Sequence, residues 1–586
     1  MISSRLTARD VLVVLQVGAG TDPERERIRL TEQLQEHYGQ VLGPGLEVLT
    51  RVLPRCRTVV AIVAPASADA RPDQPCGSGL PWVWGLPIGA AGEATGQEVR
   101  AALAVPRSAS GLLGSFVLLG EQDDGLRLVT GPDIVHTLAR CDGPRGAAWS
   151  TKSWAALIAA GVPPRLALDR VPEYVLFDQV WGDDELLDGP VLCEEATVVD
   201  LTSSGAVERS WWPVADRLAP GAPTDGPALR AVLTEELDRI GRLPDLALAL
   251  TAGRDSTLVA ACLRDLRVAP LAYTIGGPGS PDYDGAAVTA AASGWQHLSV
   301  LPQTGPPAGM AHVVRASAWT EGLDTAWNLY GSPLRWPGPP DRVHLSGNGG
   351  EIGRAVYYRH GAVPRTPDEV LHRLTAGGVA LAETPRRALI DRLDGALRSA
   401  LLLAAGDCPR ALDLLYTRVR VRSWLNRTVV RPDTAAIMPA YTSAAVVRVL
   451  LDLPLADRRS GAGFDAALGH DGLRLRAAAA RSHRPPVARR SAASVSAALR
   501  GKIPGAQRLL QRRPAPPDTA GLQVLEQAMA ELPDGPVIAR EALGERWWED
   551  TLARAARDGN ARRHLWNALA VEALHVRTQG SPSLSH

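Results

Sequence analysis

Residues 246–262 read Leu-Ala-Leu-Ala-Leu-Thr-Ala-Gly-Arg-Asp-Ser-Thr-Leu-Val-Ala-Ala-Cys. An apolar run of strand type ends in small residues, and a helical pattern starts directly after them. At such a junction Thr251, Ala252 and Gly253 keep side chains clear, so backbone N–H groups and the positive end of the helix dipole face an anion. Asp255 can then hold Mg²⁺, and Ser256 can donate a hydrogen bond. The stretch lacks both the Gly-Lys-Ser/Thr ending of a Walker loop and the glycine spacing of a dinucleotide fold. One reading is a phosphate-binding loop; the other is a tight strand-to-helix turn capped by Ser256.

Residues 342–354, Arg-Val-His-Leu-Ser-Gly-Asn-Gly-Gly-Glu-Ile-Gly-Arg, repeat the plan: a β-type run, a glycine-rich turn and an acid, Glu351. Two acid-bearing glycine loops at strand ends are what an α/β sheet needs to grip Mg²⁺ and triphosphate from both sides of its carboxyl edge. Around the first loop the periodicity predicts helices at 227–241, 256–266 and 285–293 and strands at 246–250 and 269–275, an alternation that makes a doubly wound parallel sheet. Beyond about residue 365 the β signal fades, and helices through 576 are expected to cap one end of that sheet. Residues 1 to about 210 carry short β-like runs such as 114–119 and 126–129, so a sheet-rich α+β domain is expected there. The stretch Ala219-Pro-Gly-Ala-Pro223 marks a linker. The predicted division is a domain at 1–215 and a second at 225–576.

Composition is consistent with this. With 586 residues, 45% of them hydrophobic, the chain can build more than one core. Its 63 basic and 63 acidic residues cancel, so nothing global points to nucleic acid or a charged membrane as partner. Six cysteines, at 56, 76, 141, 193, 262 and 408, show no paired spacing, which argues against a zinc cluster or a disulfide framework. No apolar run approaches the roughly 18 residues of a membrane span, and the start lacks a signal-peptide plan, so a cytoplasmic location is expected. The biased segment 472–517 holds eleven Arg or Lys and no Asp or Glu. It is either a solvated run or a loop that meets an acidic ligand or departing pyrophosphate.

The two loops resemble those of the asparagine synthetase B family, which read Ser-Gly-Gly-x-Asp-Ser-Ser/Thr and Gly-Glu-Gly-Ser-Asp-Glu. Gly279-Ser-Pro-Asp282, with Ala286, Ala287, Gly294 and His297, resembles the family's segment after its second nucleotide-binding strand. The resemblance covers roughly residues 225–450 and implies an ATP-pyrophosphatase-type synthetase domain. Such enzymes activate a carboxylate as an acyl-adenylate and then let an amine displace AMP. It implies ATP and Mg²⁺ as cofactors, with Asp255 and Glu351 as metal ligands and Asp255, Glu351 and Asn348 at the reacting end. Leu250, Thr251, Gly253, Asp255, Ser256 and Thr257 are expected at the pyrophosphate. Thr274, Ile275 and Gly276 are expected at the adenine, and Gly347, Gly349 and Gly350 along the second loop. Glu321 either touches the substrate or caps a helix; Asp324, Tyr357 and Trp424 are further substrate candidates.

The resemblance also makes residues 1–215 a glutaminase-like (Ntn-type) domain, but the glutaminase needs Cys as residue 2 and this chain has Ile2. That domain is then a scaffold or a docking surface. Cys56, between Arg55 and Arg57, is a candidate for a hidden nucleophile. Asn348 stands where the family has an ammonia-handling Glu, and the family's Pro-Phe-Leu-Asp becomes Pro439-Ala-Tyr-Thr442. No Lys lies between 153 and 501 to match the family's pyrophosphate lysine, so Arg458, Arg459 or a basic residue of 474–513 is expected to replace it. Taken together, these departures resemble the family's specialised amide-bond formers, the β-lactam synthetases and, more closely, the macrolactam synthetases of lasso peptide biosynthesis. In the latter a precursor peptide's Asp or Glu is adenylated and captured by its own N-terminus, and a leader-peptide protease and a recognition protein are partners. The Tyr416, Arg418, Arg420, Arg422, Trp424 cluster resembles their aromatic and basic helix, or is a solvated helix face. A small-molecule synthetase and a non-catalytic peptide-binding pseudoenzyme are the alternative readings.

Overall fold

In the computed structural model of the protein, the described residues are 5–6, 10–42, 45–65, 81–135, 138–301, 342–375, 383–423, 437–482, 536–555 and 558–579, with isolated positions at 310–321, 381, 425 and 525–532. The N-terminal region is built from two six-stranded sheets, mainly antiparallel. Strand alternation decides how they stack. Leu12 and Val14 of strand Val11–Val17 face Trp84, Val117, Leu119, Leu128 and Val199 of the other sheet. Their neighbours Val11, Val13 and Leu15 turn the opposite way, onto Leu30, Leu34 and Tyr38 of helix Pro23–Leu42 and onto helix Ser153–Ala160. On the far side, Val83, Leu118, Val129 and Val198 bury against Val99, Ala102 and Leu103 of helix Gly96–Ala104. The result is helix, sheet, sheet, helix in layers.

The later region is organised by a five-stranded sheet in which every pairing is parallel. From one edge to the other the strands are His297–Val300, Leu271–Ile275, Ala247–Ala249, His344–Ser346 and Ile437–Pro439. Counted along the chain the order is 3-2-1-4-5, so the winding reverses between Ala247–Ala249 and His344–Ser346. Ligands of open α/β sheets bind outside the carboxyl ends of the strands at such a reversal. Helix Gly226–Ile240 starts at an Asp225 cap, whose carboxylate accepts from Ala228 N, and helix Arg254–Asp265 follows the first strand. Helix Pro281–Ser293 follows the second, capped by Ser280.

Two expectations need correction. The fading β signal beyond residue 365 conceals Ile437–Pro439, a strand only three residues long whose Pro ends it. Not all the late helices cap the parallel sheet. Helix Ala462–Ser482 does lie against Gly226–Ile240, Arg254–Asp265 and Pro281–Ser293. Helix Gly559–Thr578 instead packs on Val171–Phe177 of the N-terminal region, where Asn567 Nδ2 donates to the Val175 carbonyl at 3.2 Å. Among the described residues no helix is long and apolar enough to cross a membrane.

Candidate active site at the reversal of the parallel sheet

Strands Ala247–Ala249 and His344–Ser346 run side by side in register, Ala249 opposite Ser346, so loops 250–253 and 347–350 leave the same sheet edge as neighbours. They touch. A methyl group placed on Gly347 would lie 2.7 Å from Ser256 N, and one on Gly350 would lie 2.6 Å from Asp255 Cγ. Gly349 has φ +91°, a left-handed conformation that glycine adopts without a side-chain penalty. The glycines that make the second stretch legible are thus the condition for close approach to the first.

Gly253 is the N-cap of helix Arg254–Asp265, and no side chain caps it there. Its first-turn N–H groups point out of the helix toward the loop mouth, where an anion would find donors and the dipole. The expectation of a Ser256 cap is corrected: Ser256 Oγ accepts from Thr251 N at 3.2 Å and lies 3.0 Å from Thr251 Oγ1, which accepts from Gly253 N at 3.0 Å. Both hydroxyls shape the loop. Thr257 donates back to the Gly253 carbonyl at 2.7 Å, and Thr274 Oγ1 donates to the Leu250 carbonyl at 2.6 Å. The side chains of Leu250, Thr257 and Thr274 are buried, so these three position the loop from below. Ile275, by contrast, is 54% exposed at the strand end, and Gly276 turns the chain away with φ +130°.

Asp255 and Glu351 face a common point, and Arg354 occupies it. One guanidinium nitrogen, Nη2, is paired with Asp255 Oδ2 and lies 4.0 Å from Glu351 Oε2. The other Asp255 oxygen, Oδ1, is buried and has no hydrogen-bond partner among the described residues. Burial pushes the Asp255 carboxyl up to about 6, the Glu351 charge adds to this, and Arg354 and Arg254 oppose it. Burial also raises Glu351, against backbone N–H groups and the charges of Arg354 and Arg420. Tyr441 completes the floor, donating its hydroxyl to the Asp255 carbonyl at 2.9 Å. Its neighbour Thr442 accepts from Ile134 N at 3.2 Å, so the N-terminal region reaches within one residue of the group that holds Asp255.

A magnesium ion fits this donor set. The orphaned Asp255 oxygen and the Glu351 carboxylate are hard anionic ligands, and no group of three or more His, Cys, Asp or Glu side chains exists among the described residues to form an all-protein cage. Magnesium bound by one or two carboxylates takes its remaining ligands from phosphate oxygens and water. Around the pair stands a basic ring, of which Arg476 falls within the expected range 474–513 and Arg254, Arg354 and Arg359 were not among the sequence-based candidates. Arg254 lies 3.4 Å from Asp465, to which Arg476 is also paired, and it feels the charges of Arg476, Arg354 and Arg359. Arg254 and Arg354 sit inside the two stretches that defined the loops, so the signal was present. Arg476 belongs to the basic segment, the rest of which, from 483 on, lies outside the described residues.

Of the expected lysine substitutes, two are engaged elsewhere, while the third alternative, a basic residue of 474–513, keeps Arg476. Arg458 is 6% exposed and committed to Asp413 and the Tyr358 hydroxyl, and Arg459 donates to the carbonyls of Arg359 and Gly361. Glu321 is buried in contact with the N-terminal region. Its carboxylate accepts from the Tyr38 hydroxyl at 3.3 Å; burial raises it, opposed by the charge of Lys152 and the N–H groups of Trp154 and Ser153. For the 416–422 cluster the solvated-face alternative does not hold, because its arginines are paired. Tyr416–Val421 is a π-helical turn, and its arginines reach the N-terminal region: Arg418 to Glu194 at 3.3 Å, Arg420 to Asp178 at 3.5 Å and Arg422 to Asp183 at 2.6 Å. Tyr357 stacks edge-on with Tyr416, centroids 5.4 Å apart. Glu351 is one cause of the raised Tyr416 hydroxyl, so this aromatic pair borders the acid. Asn348 is half-buried in the second loop. Ile2, Asp324 and Trp424 lie outside the described residues. Cys56 is 1% exposed and its thiol is raised by burial, so the flanking arginines do not activate it. No protein-family model and no curated protein sequence matches the chain.

Proposed function

We propose that the chain is an ATP-dependent, AMP-forming carbon–nitrogen ligase that closes a macrolactam between an Asp or Glu side chain of a peptide and that peptide's N-terminal amine. The observation that carries the reading is the contact of two acid-bearing glycine loops at the reversal of a parallel sheet, Gly347 against Ser256 and Gly350 against Asp255. Asp255 and Glu351 would hold Mg²⁺, which when bound neutralises triphosphate charge. The first-turn N–H groups of helix Arg254–Asp265 would take the leaving pyrophosphate, with Arg254, Arg359 and Arg476 as surrounding countercharge. Tyr441 keeps Asp255 in place, so the help is mainly positioning and electrostatics.

Asn348 has no proton-accepting carboxylate, which favours an acceptor already partly neutral. A peptide α-amine with a pKa of about 7.7–8.0 is roughly a tenth or more neutral at pH 7, far more than a lysine. In this reading the layered N-terminal region is a glutaminase-like (Ntn-type) domain that has lost its chemistry with Ile2 and serves as scaffold. The arginines of 418–422 fasten the later region to it. The partners are a precursor peptide, a leader-removing protease and a recognition protein, all cytoplasmic. A binding-only role is the second reading, favoured by Arg354, whose single positive charge already stands between the two acids.

The test is mass spectrometry of the encoded precursor after incubation with the protein, Mg-ATP and the leader-removing protease, with nucleotide products resolved in the same sample. The expected product is one water lighter than the core peptide, with AMP formed in step. ADP as the nucleotide product, or a product carrying added ammonia, overturns the reading.

A further inference from the structure

The metal position implied by Asp255 and Glu351 is filled by a side chain of the chain itself. Arg354 leaves the same short 3₁₀ turn as Glu351, Gly350–Arg354, and returns one nitrogen to the point between the two carboxylates. Two carboxylates facing one point repel unless a cation stands between them, and burial sharpens the repulsion. Other positive groups near this site have partners: Arg254 is engaged by Asp465 and the Gly461 carbonyl, and Arg420 by Asp178 and the Phe177 carbonyl. Among the described residues Arg354 alone bridges the pair. Yet the guanidinium satisfies it incompletely, since Asp255 Oδ1 is buried without a hydrogen-bond partner among the described residues.

We propose that Arg354 is an internal counter-cation that holds Asp255 and Glu351 in place when no metal–nucleotide is bound, and that it yields this position to the divalent ion and turns to the phosphates. The proposal rests on the metal assignment made above. It gives the absent lysine a successor that lies inside the second loop. It also predicts that metal and guanidinium compete, so free divalent ion binds weakly and metal arrives effectively with the nucleotide, whose phosphates offer Arg354 a replacement anion.

The experiment is titration of the full-length protein with Mn²⁺ alone, read by the electron paramagnetic resonance of free Mn²⁺, for the parent, Arg354→Met, Asp255→Asn and the double variant. Far-ultraviolet circular dichroism and melting establish folding, and Arg354→Lys, which keeps the charge, serves as the conservative control. The expected result is a dissociation constant about tenfold tighter in Arg354→Met than in the parent, near the parent value in Arg354→Lys, and weakened again in the double variant. Equal affinity in the parent and Arg354→Met, with the site lost in Asp255→Asn, overturns the counter-cation and leaves the metal assignment standing. Mn²⁺ binding indifferent to Asp255→Asn in either background overturns both.

Discussion

Gly347→Ala is the substitution that most sharply separates a shared site from two loops that merely lie near one another. The added methyl group would stand 2.7 Å from Ser256 N, 3.0 Å from its Cα and 3.1 Å from the Asp255 carbonyl carbon, all backbone atoms at the start of a helix. Contacts between such atoms relax at about 3.5 Å or more, so strand end and helix start must part by about 0.8 Å. Overpacking of this kind costs about 1–3 kcal/mol of stability. Its effect on chemistry is larger, because a displacement of about 1 Å between groups that act together lowers a rate by about 100-fold. The assay is AMP formation with the precursor, alongside thermal melting. Gly395→Ala, where a methyl group meets nothing within 4 Å, is the matched control. Gly347→Ala forming AMP within about twofold of the parent rate, while still melting cooperatively, refutes the claim that the two loops make one site.

Further predictions follow from other residues. Tyr441→Phe removes the hydroxyl that donates to the Asp255 carbonyl at 2.9 Å; it should cost about 1 kcal/mol of stability and slow AMP formation, and a variant with unchanged rate and melting temperature removes Tyr441 from the site. Glu236 is buried beneath Ser443, and burial, reinforced by the nearby charge of Asp133, pushes its carboxyl up to about 8. The folded chain therefore keeps a proton that the unfolded chain releases near 4.5, so the stability Glu236 contributes is full below that pH and is lost as pH rises through about 8. The melting temperature should fall between pH 6 and 9 less steeply in Glu236→Gln than in the parent; parallel curves for the two proteins would contradict the assignment. Glutamine should not be hydrolysed, since residue 2 is Ile and Cys56 is buried with a raised thiol; glutamate release above a protein-free blank would show a nucleophile elsewhere.

What could be read from residues alone follows the physics of each signal. The loops at 250–256 and 347–351 were legible because glycine, acid and strand run occur together for a local reason, the close approach of backbones. The alternation of helices and strands from 227 to 293 was legible from hydrophobic period, whereas the short edge strand His297–Val300 was not. The strand Ile437–Pro439 was not, because three residues carry no period. What covers the 416–422 arginines is not legible, because spacing reports a helical face but not its partners; the acids that pair with them lie more than two hundred residues earlier in sequence. The role of Glu321 is not legible in sequence because its partner Tyr38 is likewise distant. Arg354 was overlooked for a different reason. Its i,i+3 spacing to Glu351 is visible in sequence, but its pairing with Asp255, 99 residues earlier, is not.

The measurement that bears most directly on the central claim is calorimetric titration of the full-length protein with Mg²⁺ and α,β-methylene-ATP, which cannot be cleaved at the bond in question, comparing the parent with Asp255→Asn. Asparagine keeps the shape and removes the charge that the metal needs. The account predicts a saturable single site in the parent and affinity at least about tenfold weaker in the variant, with the fold unchanged. Absence of binding to the parent, or equal affinity in the two proteins, would contradict a nucleotide site at the meeting of the Asp255 and Glu351 loops.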